Sequence, residues 1–258
     1  MKGKLLFLGT GGSAGVPMIG CCCEVCQSSF LHNQRWRSSA LLKVDNKQIL
    51  IDAGPDFRAQ ALKFGISHLD AVLLTHAHAD HIGGMDDLRS FYFVTRKKLP
   101  CFLSEDTLRE VRLRFHYFFK EIQPQKSVAA QVDFFPFPAD AGECSVEGIP
   151  IHYFSYFQTG MRVTGFRIGS FAYVSDIREY GASVIHALEG VKVLVLSALR
   201  HTASPLHFNV EEAIAFARRV GAGKTYLTHI SHELDHEATN SLLPNDIRMG
   251  YDGLEIEW

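Results

Sequence analysis

Residues 71 to 81 read Ala71-Val72-Leu73-Leu74-Thr75-His76-Ala77-His78-Ala79-Asp80-His81. Four candidate metal ligands, His76, His78, Asp80 and His81, fall within six positions directly after an apolar run. A buried strand presents whatever follows it at its own carboxyl end, where a sheet can hold side chains rigidly. Imidazoles and a carboxylate together suit zinc, manganese or iron, and open coordination positions would make such a site hydrolytic. The competing reading, a polar histidine-rich turn, does not account for so dense a ligand set.

Around this stretch the 258-residue chain is evenly composed. Lys plus Arg total 26 against 28 Asp plus Glu, and 47% of residues are hydrophobic; mean hydropathy is +0.01. This composition supplies a sizeable core and offers no global charge to draw in nucleic acid or acidic lipid. The basic opening Met1-Lys2-Gly3-Lys4 leads into an apolar run too short for a secretory signal. No stretch approaches the roughly 20 apolar residues of a membrane helix, so a cytoplasmic protein with no membrane partner is expected. Of the six cysteines, Cys21, Cys22, Cys23 and Cys26 lie within six positions, while Cys101 and Cys144 stand apart. That clustering makes a poor disulfide framework and a good metal clip.

Strand-like runs occur at 4–8, 40–44, 48–51, 71–74 and 100–103, with a hairpin around Asp45-Asn46-Lys47. Helical patterns cover 56–64, 87–93 and 104–119. The segment 132–174 is expected to be β-rich. Helix (178–188), strand (192–197), helix (209–220), strand (225–228), helix (232–243) and a closing strand (254–258) then follow. Asn209 with Glu211 and Glu212 is a credible helix start, and Gly221 a stop. No linker or internal repeat divides the chain, so one domain over 1–258, with stacked sheets and outer helices, is expected.

The His-x-His-x-Asp-His motif after a strand resembles that of the metallo-β-lactamase superfamily. Ile51-Asp52-Ala53-Gly54, Tyr173-Val174-Ser175-Asp176 and Tyr226-Leu227-Thr228-His229 match the family's later strand ends in order. Gly9 to Pro17, the cysteine loop, Asp52 to Arg58 and Tyr251-Asp252-Gly253 look like one branch of it, which includes the cyclic phosphodiesterase associated with carbon–phosphorus lyase. The resemblance spans the whole chain and implies an α/β fold, the αβ/βα four-layer sandwich. It implies His76 and His78 on a first metal, Asp80, His81 and His229 on a second, and Asp176 bridging them. A metal-bound hydroxide is then the expected nucleophile, with one or two ions of Zn2+ or Mn2+ roughly 3.5–4 Å apart when both are present.

One position departs from the pattern. The family's third histidine for the first metal lies about 18 residues before the bridging Asp, and here that residue is Gln158. An amide oxygen is a weaker ligand than imidazole for a borderline-soft ion. Gln158 is thus either a direct ligand or an outer-shell group, and a weak, exchangeable or absent first metal is expected. His152 does not replace it, because six residues of strand separate the two by roughly 20 Å.

Cys21-x-Cys23-x-x-Cys26 offers three thiolates, and tetrahedral zinc needs a fourth ligand. The resemblance implies His232, three residues after His229, giving a structural Cys3His zinc with Cys22 a bystander. It also places His207, just before a helix, near the substrate, where an imidazole can serve the leaving oxygen. His201 and His236 are weaker candidates for that task, and Asp80 is counted among the catalytic groups. Asp56 and Arg58 either orient a ligand or cap a helix. Gly9-Thr10-Gly11-Gly12-Ser13 lacks the spacing of a phosphate cradle.

The expected function is a metal-dependent hydrolase acting on small or cyclic phosphodiesters. No basic arm suits a large nucleic acid, and the oligomeric state, a homodimer included, is left open. The second reading, motivated by Gln158, is a non-catalytic or weakly active protein of the same fold.

Overall fold

The computed structural model describes residues 1–119 and 129–258. Along the chain β1 (Gly3–Gly9), β2 (Ser39–Val44), β3 (Lys47–Ile51), β4 (Ala71–Leu73), β5 (Leu99–Leu103) and β6 (Val132–Pro136) build one sheet. A second sheet takes β7 (Ala141–Val146), β8 (Ile149–Gln158), β9 (Met161–Ile168), β10 (Phe171–Val174), β11 (Val193–Ser197), β12 (Lys224–Thr228) and β13 (Ile247–Met249). The last strand, β14 (Glu255–Glu257), returns to the first sheet beside β1. The orders are β14-β1-β2-β3-β4-β5-β6 and β13-β12-β11-β10-β9-β8-β7.

Strand periodicity explains how the layers stack. Leu5 and Phe7 of β1 enter the core between the sheets, whereas Leu6 and Leu8 join the outer core beneath the helices. In β11, Val193 and Val195 face inward and Leu194 and Leu196 outward. Successive side chains on a strand point to opposite faces, so a run apolar at every position must be covered on both. The covering helices are α2 (Phe57–Lys63), α4 (Arg89–Thr95) and α5 (Glu105–Arg114) on the first sheet. On the second they are α6 (Ala182–Ala187) and α7 (Val210–Val220), with Leu243 at the end of α8 (His236–Leu242). Two short helices, α1 (Glu24–Gln27) and α3 (Ala79–Ile82), carry ligand candidates. The result is the expected αβ/βα four-layer sandwich. No helix among the described residues is long and apolar enough to cross a membrane.

α7 begins and ends as its sequence implies. Asn209 accepts from the Glu212 backbone N–H at 2.8 Å and Glu212 accepts from that of Asn209 at 2.9 Å, while Gly221 closes the helix at φ 72°. Two other helices start late. α6 begins at Ala182 rather than 178, because the backbone N–H groups of Arg178 and Glu179 donate to Phe157 O. α8 begins at His236 rather than 232, because Asp235 caps it and also accepts from Asn33 at 2.7 Å. In both cases tertiary partners override local helical preference.

β3, β4 and β5 run parallel, as do β10, β11 and β12. Their carboxyl ends meet at one edge of the sandwich, where Asp52, His76, Asp176 and His229 emerge.

Candidate metal centre

Three of these strand ends turn through left-handed backbone: Asp52 (φ 60°), Asp176 (φ 57°) and His229 (φ 57°). Asp and His are among the non-glycine residues that tolerate this region, at a cost of order 1–3 kcal/mol each. The turn reverses the chain immediately after the strand and throws each side chain across the sheet edge. His78 sits at the N-cap of α3, whose first turn then delivers Asp80 and His81.

Hydrogen bonds settle the tautomers. Asp52 is fully buried and accepts from the Thr75 backbone N–H (2.8 Å), the Thr75 hydroxyl (2.8 Å) and His81 Nδ1 (2.7 Å). Since the Thr75 hydroxyl donates to Asp52, it accepts from His76 Nδ1 at 2.9 Å. Both imidazoles therefore keep a proton on Nδ1, so Nε2 is the atom each presents inward. His76 Nε2 lies 3.0 Å from His78 Nδ1.

His81 Nε2 is 3.4 Å from Asp80 Oδ2 and 3.3 Å from Asp176 Oδ2; His229 Nε2 is 3.3 Å from Asp80 Oδ2 and 3.1 Å from Asp176 Oδ1. Donors each about 2.0–2.1 Å from one ion at tetrahedral angles lie about 3.3–3.4 Å apart. The four groups thus have the spacing of a coordination shell. His81 Nε2 and Asp176 Oδ1 are buried with no hydrogen-bond partner, a state that is costly unless a cation satisfies them. Electrostatics agree. Burial disfavours a charged His81, yet Asp176, Asp52 and Asp80 outweigh it and hold its pKa well above the usual value. Burial likewise opposes a charged Asp80, but His81 and His229 hold its carboxyl below the ordinary range. The pocket favours positive charge, and the residues present fit a divalent cation.

Of the expected residues, His76, His78, Asp80, His81, Asp176, His229, Gln158 and His207 converge on this centre. A cleft of about 380 Å³ opens over it, lined also by Ser13, Ala79, Thr159, Met161 and Leu206. Gln158 ends β8, is buried, and lies 2.9 Å from His207 Nε2 through its amide nitrogen. His207 stacks on His229 and places Nδ1 3.4 Å from Asp176 Oδ1. Burial, reinforced by the neighbouring His229, pushes His207 down to about 4, so its ring is neutral at pH 7. His152 is exposed and pairs with Glu143, away from the centre. His236 contacts Arg35, and Asp56 binds Arg37 at 2.8 Å; neither lines the cleft. Thr75 was not singled out from sequence, although a polar residue closing an apolar strand just before His76 is a usable signal.

Cys21, Cys23, Cys26 and His232 form a second cluster whose donor atoms all lie within 4.8 Å of one another. His232 Nδ1 is 3.5 Å from Cys21 Sγ and 3.3 Å from Cys23 Sγ. The hydrogen bond from His232 lowers the Cys23 thiol to about 6, whereas burial pushes Cys26 up to about 11. Cys22 is exposed and outside the cluster.

This fold and ligand set are those of a metal-dependent hydrolase, and comparison with known proteins agrees. The family model described as Beta-lactamase superfamily domain matches residues 47–230, so the chain belongs to that superfamily. A crystal structure of a diphosphatase from the PhnP family superposes with a TM-score of 0.91 at 38% identity, covering 100% of this chain and 98% of that one. Within the superfamily, then, the chain is a member of the PhnP family. An octanoyltransferase of Porphyromonas gingivalis is 37% identical over 257 residues, covering 98% of this chain and 51% of that protein. The chain spans about half or less of the length of the curated relatives it matches most strongly. Zn(2+)-bound PqqB from Methylobacterium extorquens shares the fold at a TM-score of 0.79 and 18% identity, covering 98% of this chain and 99% of that one.

Proposed function

We propose that this chain hydrolyses small phosphodiesters or related phosphoanhydrides at the cation site described above. The observation that carries the reading is the set of donors from Asp80, His81, Asp176 and His229, spaced 3.1–3.4 Å apart at the floor of a cleft. A divalent cation bound there would polarise a phosphoryl oxygen and activate water for attack.

The protein's own side chains do the rest. Asp52 and Thr75 hold His81 and His76 in the ligating tautomer. Asp80, His81, His229 and Asp176 would form the stronger site; His76, with His78 beside it, would serve a second next to Asp176, where Gln158 stands in place of a third imidazole. One tightly held ion and one exchangeable ion are therefore expected. His207, neutral and facing the cleft floor, offers an N–H to the leaving oxygen. Cys21, Cys23, Cys26 and His232 would hold a structural zinc, since three thiolates and an imidazole leave no open position. The similarity to a PhnP-family diphosphatase supports phosphorus chemistry.

Purified protein should contain about two to three metals per chain, and should hydrolyse bis-p-nitrophenyl phosphate when manganese or zinc is supplied. Absence of turnover with full metal occupancy would overturn the proposal in favour of a non-catalytic role. A second reading, acyl-ester hydrolysis, draws on the octanoyltransferase relative and on a cleft lined by Met161 and Leu206 with no Lys or Arg. Preferential cleavage of p-nitrophenyl octanoate in the same assay would favour it.

A further inference from the structure

A second cavity, of about 500 Å³, lies next to the metal cleft and shares no lining residue with it. Ser13 lines the cleft and its neighbour Ala14 the cavity. Arg37 spans the boundary, donating to Ser13 O at 3.0 Å and pairing with the cavity residue Asp56 at 2.8 Å. The cavity walls are apolar, from Val16, Pro17, Ile19, Leu31, Trp36 and Phe64, and Trp36 meets Phe64 edge to face with ring centroids 6.2 Å apart. Ile19 and Leu31 are 94% and 74% exposed, so apolar side chains rim the opening as well as line it.

The polar part of the lining is rigid. Arg35, only 3% exposed, donates to Gly250 O and to the Thr10 hydroxyl, both at 2.7 Å, and that hydroxyl donates onward to Asp252 at 2.7 Å. Asp252 also accepts from the Trp36 backbone N–H at 2.7 Å, which anchors the aromatic wall. Four of the five charges lining the cavity are thus matched, Arg37 with Asp56 directly and Arg35 with Asp252 through Thr10. The fifth is Lys63, exposed at the end of α2, with no carboxylate within 4.0 Å among the described residues.

We infer that this cavity is a second ligand site, for a small molecule with an apolar or aromatic body and one anionic group. Its size falls within the roughly 300–1,000 Å³ that small-molecule ligands occupy, and a mostly apolar wall with a few fixed polar groups is the usual make-up of such sites. The ligand's body packs against Trp36 and Phe64 and covers Ile19 and Leu31, removing apolar surface from water on both partners. Its anion answers the unmatched charge of Lys63. No residue of the metal centre takes part, so the inference does not rest on the hydrolase reading.

Anilinonaphthalene sulfonate, an aromatic monoanion, is the probe, and phenyl-naphthylamine is its uncharged counterpart. Metal-loaded protein should bind the sulfonate with one-to-one stoichiometry. In 15N–1H spectra the Trp36 indole signal, assigned with Trp36→Phe, should shift on titration, while that of Trp258, which stacks on Phe171, should stay in place. Ile19→Asp should weaken both dyes by about 10-fold or more, whereas Lys63→Glu should weaken the sulfonate by about 10-fold and the neutral dye by less than about 2-fold. Both side chains are exposed, so both variants should melt as wild type does; should Ile19→Asp not fold, Leu31→Asp takes its place. An unmoved Trp36 signal, sulfonate binding indifferent to Ile19→Asp, or equal losses for the two dyes in Lys63→Glu would each overturn the inference. So would a dimer in sedimentation that Ile19→Asp dissociates, since a second copy of the chain would then be what covers the opening.

Discussion

His81 is held by Asp52 through Nδ1, and its Nε2 faces the carboxylates of Asp80 and Asp176 at 3.4 and 3.3 Å. Asp52 lies behind the ring and sets the direction in which His81 Nε2 points. Asp52→Asn puts an NH2 where one of three donors now finds an acceptor, so metal affinity should fall about 10–100-fold in a chelator competition. Unchanged affinity would mean that the ring is held by packing alone. At this scale the residues that converge on the site were legible because they are contiguous, as in 76–81, or because they end apolar runs, as with Asp176 and His229. The holding role of Thr75 and the bond between Gln158 and His207 were not legible, because each depends on which strand ends the fold brings together.

Among the elements, the turn from β3 into α2 shows most directly how backbone shape serves the site. A Cβ built on Gly54 would overlap the backbone carbonyl oxygen of Asp80. The Ala53 N–H donates to His81 O at 2.8 Å beside it. Only glycine permits α3 to lie this close to the end of β3. Gly54→Ala should therefore destabilise the protein by about 1–3 kcal/mol in chemical denaturation and lower metal content with it. Retained metal at full stability would show that the approach is not required. The element boundaries divide by cause. The ends of α7 were readable, since its caps are local residues. The starts of α6 and α8 were not, since Phe157 and Asn33 compete for the backbone and capping groups from far away in sequence.

Across the whole molecule, many long-range ties join the first forty residues to the last thirty, and two of them lend themselves to a test. One is the cysteine cluster with His232. His232→Ala should remove one tightly bound zinc per chain and lower Tm by several degrees, read by metal analysis and calorimetry. The other is half-buried Asp252, which accepts from the Thr10 and Trp36 backbone N–H groups at 2.9 and 2.7 Å. Burial pushes its carboxyl up to about 6, against roughly 4 in an unfolded chain. Between those values the folded protein binds more protons than the unfolded one, so this group removes stability as pH rises from about 4 to 6. The stability of wild type relative to Asp252→Asn should decline across that window in denaturation curves. A constant difference would refute the assignment.

The left-handed backbone at positions 52, 176 and 229 carries a lesson for directed evolution. Each of these residues answers two demands at once, a tight reversal of the chain and a side chain that serves the candidate cation site, through a donor atom at 176 and 229 and through the hold on His81 at 52, and glycine meets only the first. A library randomised at position 176 and screened for soluble expression should return glycine and asparagine. The same library screened for metal retention should return aspartate.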